Sequence, residues 1–185
     1  VQELSFEVLD RLKKLSVRSI KCSENFDWAD VDLQSDFWPL KIALNSLKAV
    51  TTILIIYNCQ RKEKKLYLDE DLVLALDFIY KLTEDLILKL TVQSDEWDNE
   101  NVQMIIGVMN LLTKNLELFG DYIASNQAND TVLTKLEYLS LMIFFHAPEK
   151  NKFTTSMQSL KTSSMNLLID LFRSKKDQRS FTVSY

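Results

Sequence analysis

A chain of 185 residues is long enough for one domain with a sizeable core, yet its 2 Gly and 2 Pro supply too few turn residues for a sheet of many strands. A hydrophobic fraction of 46% with 26% charged residues excludes wholesale disorder. The net charge of −4 excludes a polycation, so any contact with nucleic acid must come from a local basic patch.

Residues 2 to 20 read as a first helix, with Leu4, Val8, Leu12 and Leu15 on one face. An acidic link from Cys22 to Ser35 follows and holds Phe26 and Trp28. A second helix begins around Asp36, a plausible cap, with Pro39 tolerated in the first turn. Leu40, Ala43, Leu44, Leu47, Val50, Leu54 and Tyr57 form its apolar stripe. Thr52 to Tyr57 is β-branched enough for a strand, but it is embedded in this longer 3.6-residue pattern and reads as buried helix. The longest uncharged apolar run, near Ala49 to Cys59, falls short of the roughly 20 residues that span a bilayer.

Arg61 to Lys65 is a charged link, most simply a solvated loop. Asp69, Glu70 and Asp71 open a third helix, where acids favour the positive end of the helix dipole. Leu72, Ala75, Ile79, Leu82, Leu86 and Leu90 form its face. After the acidic link from Ser94 to Glu100, which holds Trp97, a fourth helix carries Val102, Ile105, Ile106, Met109, Leu112, Leu116, Phe119 and Ile123. Gly107 inside it costs about 1 kcal/mol against Ala and marks a close helix crossing. Ser125 to Asp130 ends that helix with polar turn residues.

Residues 131 to 179 organise the rest. Val132 to Phe145 is apolar nearly all round, including Leu139, Leu141, Met142, Ile143 and Phe144, and such a helix belongs inside something. The break Ala147-Pro148-Glu149-Lys150-Asn151 separates it from a helix with Phe153, Met157, Leu160, Ser164, Leu167, Leu168 and Leu171 on one face. The other side of that helix is polar, with Thr154, Gln158, Lys161, Ser163, Asn166 and Asp170. A basic run closes it, through Arg173, Lys175, Lys176 and Arg179. A buried helix, a Pro-marked turn and an amphipathic partner make one unit of a stacked array. The fold class is therefore all-α: an α-solenoid of antiparallel helix pairs of HEAT or armadillo type, with about six long helices. A closed bundle is the competing architecture. Residues 1 to 185 form a single helical-repeat segment, and the opening on Val1 in place of Met reads as a piece of a longer solenoid.

Chemistry is sparse. His146 is the single histidine, which removes His-based triads and His-rich metal sites, and at a helix C-terminus it suits exposed carbonyls. Cys22 and Cys59 are too few and too far apart for a disulfide framework or a metal site, and point to a reducing compartment. No Gly-rich phosphate loop, H-E-x-x-H or CxxC is present, so the chain reads as non-enzymatic with no cofactor. Two basic clusters remain. Arg173 to Arg179 is either a helix end with cations against its dipole or a phosphate-contacting patch at a solenoid edge. Lys62, Lys64 and Lys65, diluted by Glu63, form the lesser candidate.

The order of residues from Leu116 to Arg179 resembles a segment of the Nipped-B family, the large subunit of the cohesin loader. The resemblance is carried by Asn115-Leu-Glu-Leu118, Asp130-Thr-Val-Leu133, the aromatic pair Phe144-Phe145, then Leu160, Leu167-Leu168 and Leu171-Phe172 before the basic turn. More loosely, Leu47 to Ile87 is similar to the family's preceding pair, with Leu66-Tyr67 and Asp69-Glu70 opening a helix. The resemblance implies a hook-shaped HEAT solenoid in the nucleus that loads cohesin onto chromosomes without catalysis of its own. It implies contacts with the kleisin subunit and the SMC ATPase heads, stimulation of cohesin's own ATP hydrolysis, and a smaller loader subunit elsewhere on the full-length chain; it implies no membrane. It also implies double-stranded DNA held by its backbone at basic inter-helix turns, where Arg173, Lys175, Lys176 and Arg179 fall. The alternative is a generic HEAT or armadillo adaptor that takes a peptide or helix and has no nucleic-acid role.

Overall fold

The scarcity of turn residues and the long 3.6-residue patterns have the expected outcome: helix succeeds helix, with no strand among the described residues. The computed structural model describes residues 5–24, 26–31, 38–59, 66–91, 99–125, 128–147 and 151–174. Its rods are α1 (Phe6–Glu24), α2 (Trp38–Cys59), α3, α4 (Asn99–Ser125), α5 (Asp130–Phe145) and α6 (Thr154–Ser174). Helix α3 runs from Asp69 to Leu82, widens into a π-helical turn at Thr83–Ile87 and finishes over Leu88–Leu90. Thr52 to Tyr57 lies within α2, as helix. Pro39 sits buried in the first turn of α2, while Asp36 and Pro148 lie outside the described residues.

The helices form two rows. Helices α2, α4 and α6 pack side by side in that order, α3 lies between α1 and α5 in the second row, and α1 packs on α2 as α5 packs on α6. Within a row the helices run parallel. Gly107 of α4 lies at Leu44 of α2, Asn115 at Leu47 and Thr51, and Leu118 at Asn58. Likewise Glu117 meets Ser163 of α6 and Gly120 meets Leu167. Parallel rows built from successive pairs are the geometry of a stacked array, and the fold is a HEAT-like solenoid.

One apolar core runs through both rows. Leu47, Val50 and Leu54 of α2, Ile79 and Leu82 of α3, Leu112, Leu116 and Phe119 of α4, Leu136 of α5, and Met157 and Leu160 of α6 are fully or almost fully buried in it. Helix α2 is long and apolar enough, by length and composition, to cross a membrane; here its stripe is core. The link after α1 contributes too, since Trp28 is buried with its ring 4.7 Å from Phe26 and 6.1 Å from Phe78 of α3. Asn129 caps α5, accepting a hydrogen bond from the Val132 amide at 2.9 Å.

Three expectations about faces are corrected. The face of α1 assigned to the core is the outer one: Val8, Leu12 and Leu15 are exposed, Leu4 lies outside the described residues, and Lys13, Ser16, Ile20 and Ser23 face inward. Small side chains let α1 approach α2 closely, with the Ser46 hydroxyl 3.4 Å from the Ser19 carbonyl. Helix α5 is not enclosed, because its neighbours α3 and α6 cover two sides only; Phe144 and Phe145 reach solvent. The outer side of α6 is not uniformly polar, since Met165, Ile169 and Phe172 are exposed there and Ser163 is buried.

A Cβ on Gly107 would meet Leu44 Cδ2 at 3.8 Å, an ordinary contact, so the crossing there does not require glycine. Gly107→Ala is therefore expected to raise stability by about 0.5–1 kcal/mol, seen as a higher urea midpoint by far-UV circular dichroism. The tighter approach is at Gly120, where a Cβ would stand 3.1 Å from an Asp170 carboxylate oxygen.

Candidate interaction surface

Of the sequence-predicted DNA contacts, Arg173 is placed: it lies in the last turn of α6 with its side chain 74% exposed and its guanidinium 3.8 Å from the Asp170 carboxylate. Lys62, Lys64, Lys65, Lys175, Lys176 and Arg179 lie outside the described residues. Among the described residues no group of His, Cys, Asp and Glu side chains gathers as a metal site, and Cys22 and Cys59 are exposed free thiols.

The polar chemistry that is present joins helices. Asp71, expected to serve the dipole of α3, turns inward and meets Lys13 of α1 at 3.1 Å, with both side chains almost wholly buried. Lys13 also donates to the Leu66 carbonyl at 2.9 Å, and Tyr57 of α2 donates to Asp71 at 2.6 Å. Burial, reinforced by the Asp71 carboxylate, pushes the Tyr57 hydroxyl well above its ordinary pKa and keeps it a donor. Beside it, Tyr67 donates to Asp69 and stacks on Tyr122 of α4, with ring centroids 5.9 Å apart. Nothing in the sequence signals this network, because a lysine beside other charged residues reads as a solvated position.

His146 is the C-cap residue of α5, as its place at the helix C-terminus implies, but its imidazole turns to α3. Its Nε2 lies 2.8 Å from the Thr91 hydroxyl, which itself donates to the Leu88 carbonyl, and Asn151 donates to the Thr91 carbonyl at 2.7 Å. Together they fasten the end of α3 to the link between α5 and α6. Desolvation, then the charge of Lys161, holds the imidazole below its usual pKa.

Two kinds of surface on the outside can receive a partner. The first is apolar: Val8, Leu12 and Leu15 on α1, and Met165, Ile169 and Phe172 on α6, each spaced by 4 and then 3 along one helix face. The second is a groove between the parallel helices α3 and α5. One cavity there, of about 340 Å³, is lined by Leu76, Asp77, Tyr80, Lys135 and Tyr138. A neighbouring one, of about 330 Å³, is lined by Asp69, Glu70, Val73, Leu74, Asp77, Asn129 and Thr131. An ion pair between Asp77 and Lys135 crosses the groove where the two cavities meet. Periodicity had assigned Tyr138 no role, though a tyrosine beside a core stripe is the kind of signal that marks such a wall.

No family model matches the chain, and no curated protein matches it in sequence. In fold it is similar to the C-terminal fragment of the cohesin loader SCC2 from Chaetomium thermophilum, with a TM-score of 0.81 at 20% identity. The match covers 95% of this chain and 15% of that one, so the chain spans a small part of the length of the protein it matches. The six-helix array thus has the fold of one stretch of a cohesin loader, in agreement with the Nipped-B resemblance carried by residues 116 to 179.

Proposed function

We propose that the chain is a scaffold segment of a cohesin-loading factor of the Nipped-B kind. It works in the nucleus, on chromosomes, as one stretch of a longer helical array. It binds cohesin through the kleisin subunit and the SMC ATPase heads, holds the DNA backbone at basic turns and stimulates ATP hydrolysis performed by cohesin. The observation that carries this reading is the fold likeness, which extends over 95% of the chain. The exposed stripes on α1 and α6 support it, since further helix pairs of the same array would cover them. The adaptor reading shares the fold and draws on the net charge of −4, which leaves nucleic acid to local patches.

DNA binding separates the two. In the full-length protein carrying this segment, Lys175→Glu with Lys176→Glu is expected to weaken duplex DNA binding at low salt, measured by fluorescence anisotropy. The slope of log affinity against log salt should shrink by about 2. Unchanged affinity and slope would remove the site assignment. A full-length protein that neither binds DNA nor raises cohesin's ATPase rate would overturn the loader reading itself.

A further inference from the structure

We propose that the groove between α3 and α5 takes an extended, lysine- or arginine-bearing segment of a partner protein. Its floor is aliphatic, formed by Val73, Leu74 and Leu76, and its far end is walled by the rings of Tyr80 and Tyr138, the latter 65% exposed. Carboxylates punctuate its length. Asp69 and Glu70 stand at one end and Asp77 in the middle; Glu84 lies beside Tyr80 at the other, where burial and its charge hold the Tyr80 hydroxyl protonated. Lys135 is the cation lining it, and Asp77 already engages that ammonium.

This lining selects its occupant by charge. An apolar helix laid here would strip water from Glu70 and Asp77 without replacing it, which is costly. An anionic strand would be repelled. A cationic segment is served at both ends: its ammonium or guanidinium groups meet Glu70 at one and Glu84 at the other, its aliphatic stems lie on the floor past the Asp77–Lys135 pair, and a charge over Tyr80 or Tyr138 gains a cation–π contact. From Asp69 to Tyr80 the helical rise gives a groove about 16 Å long, enough for about five residues of extended chain. The inference rests on the groove alone and is independent of the loader reading.

The test is fluorescence anisotropy with the 185-residue chain and a fluorescein-labelled heptapeptide of alternating Lys and Ala, against a Glu-Ala peptide of the same length. The Lys-Ala peptide should bind and the Glu-Ala peptide should not. Glu70→Lys and Thr131→Lys, on opposite walls, should each weaken binding about tenfold. Tyr138→Ala should weaken it about threefold. Asp121→Lys, at an exposed position on α4 in the other row, controls for net charge and should change it less than about twofold. Equal loss in Asp121→Lys, no loss in the groove variants, equal binding of the Glu-Ala peptide, or no binding of the Lys-Ala peptide at 1 mM would each overturn the proposal. All four positions are exposed, so circular dichroism of the variants should match the parent chain.

Discussion

Asp71→Ala is expected to lower the stability of the folded chain by about 3–5 kcal/mol, the usual consequence of removing one partner from a buried ion pair. The residue left behind decides the size. Lys13 has 8% of its side chain exposed, and without Asp71 its ammonium keeps the Leu66 carbonyl, while the Tyr57 hydroxyl is left with the long contact to the Leu68 carbonyl at 3.5 Å. Three helices lose their junction at once, because the network joins α1, α2 and the start of α3. Lys13→Met should also destabilise, since Asp71 then keeps only the Tyr57 hydroxyl. The pair Lys13→Met with Asp71→Leu should recover much of the loss, because the cost of desolvating two charges disappears with them. Urea unfolding of the parent, Lys13→Met, Asp71→Leu and the pair, set out as a double-mutant cycle with Asp71→Ala measured beside it, tests this. An Asp71→Ala cost below about 1 kcal/mol would show that the pair is solvated and the network unimportant.

Phe119→Ala should cost about 3–5 kcal/mol, and Phe119→Leu less than about 1.5 kcal/mol. Phe119 is fully buried on α4, the middle helix of its row, next to Gly120, which faces Leu167 and Asp170 of α6. Such a site cannot collapse easily, because α2 and α6 hold α4 from both sides. In an array, stability is a sum over neighbouring units, so a defect in the central helix loosens both interfaces. Loss of cooperativity, read as a shallower urea transition than that of the parent, should therefore accompany the drop in midpoint. A sharp transition with a drop of less than 1 kcal/mol would place Phe119 outside the core in solution.

Where a helix is covered on its inner side by several others, its inward face was legible from periodicity. Leu40, Leu47 and Leu54 of α2 and Leu112, Leu116 and Phe119 of α4 are all buried, as their spacing requires. The rule failed on helices at the ends of the array. Helix α1 turns Lys13, Ser16 and Ser23 inward and leaves Val8, Leu12 and Leu15 outside, because a periodic stripe says that an apolar face exists and not which neighbour meets it. Phe144 and Phe145 are exposed for the same reason. The π turn at Thr83–Ile87 left a faint trace in the sequence: core positions Leu82, Leu86 and Leu90 are spaced by two steps of four, one residue more than a regular alternation gives. Of the interaction surface less was legible. The basic runs advertise themselves by composition, whereas the α3–α5 groove arises from residues about 60 positions apart, which single-helix periodicity cannot join.

Asn115 carries a consequence for assembly. It is fully buried between α2 and α4, with the Thr51 hydroxyl 2.8 Å from its Oδ1 and its Nδ2 donating to the Leu47 carbonyl at 3.1 Å. Leucine-rich stripes are nearly self-similar after one helical turn, so grease alone would tolerate α4 slipping along α2. A slipped α4 would strand that amide among methyl groups, at about 1–3 kcal/mol. One carboxamide thereby sets the vernier between two otherwise interchangeable alignments, trading a little adhesion for a single correct docking.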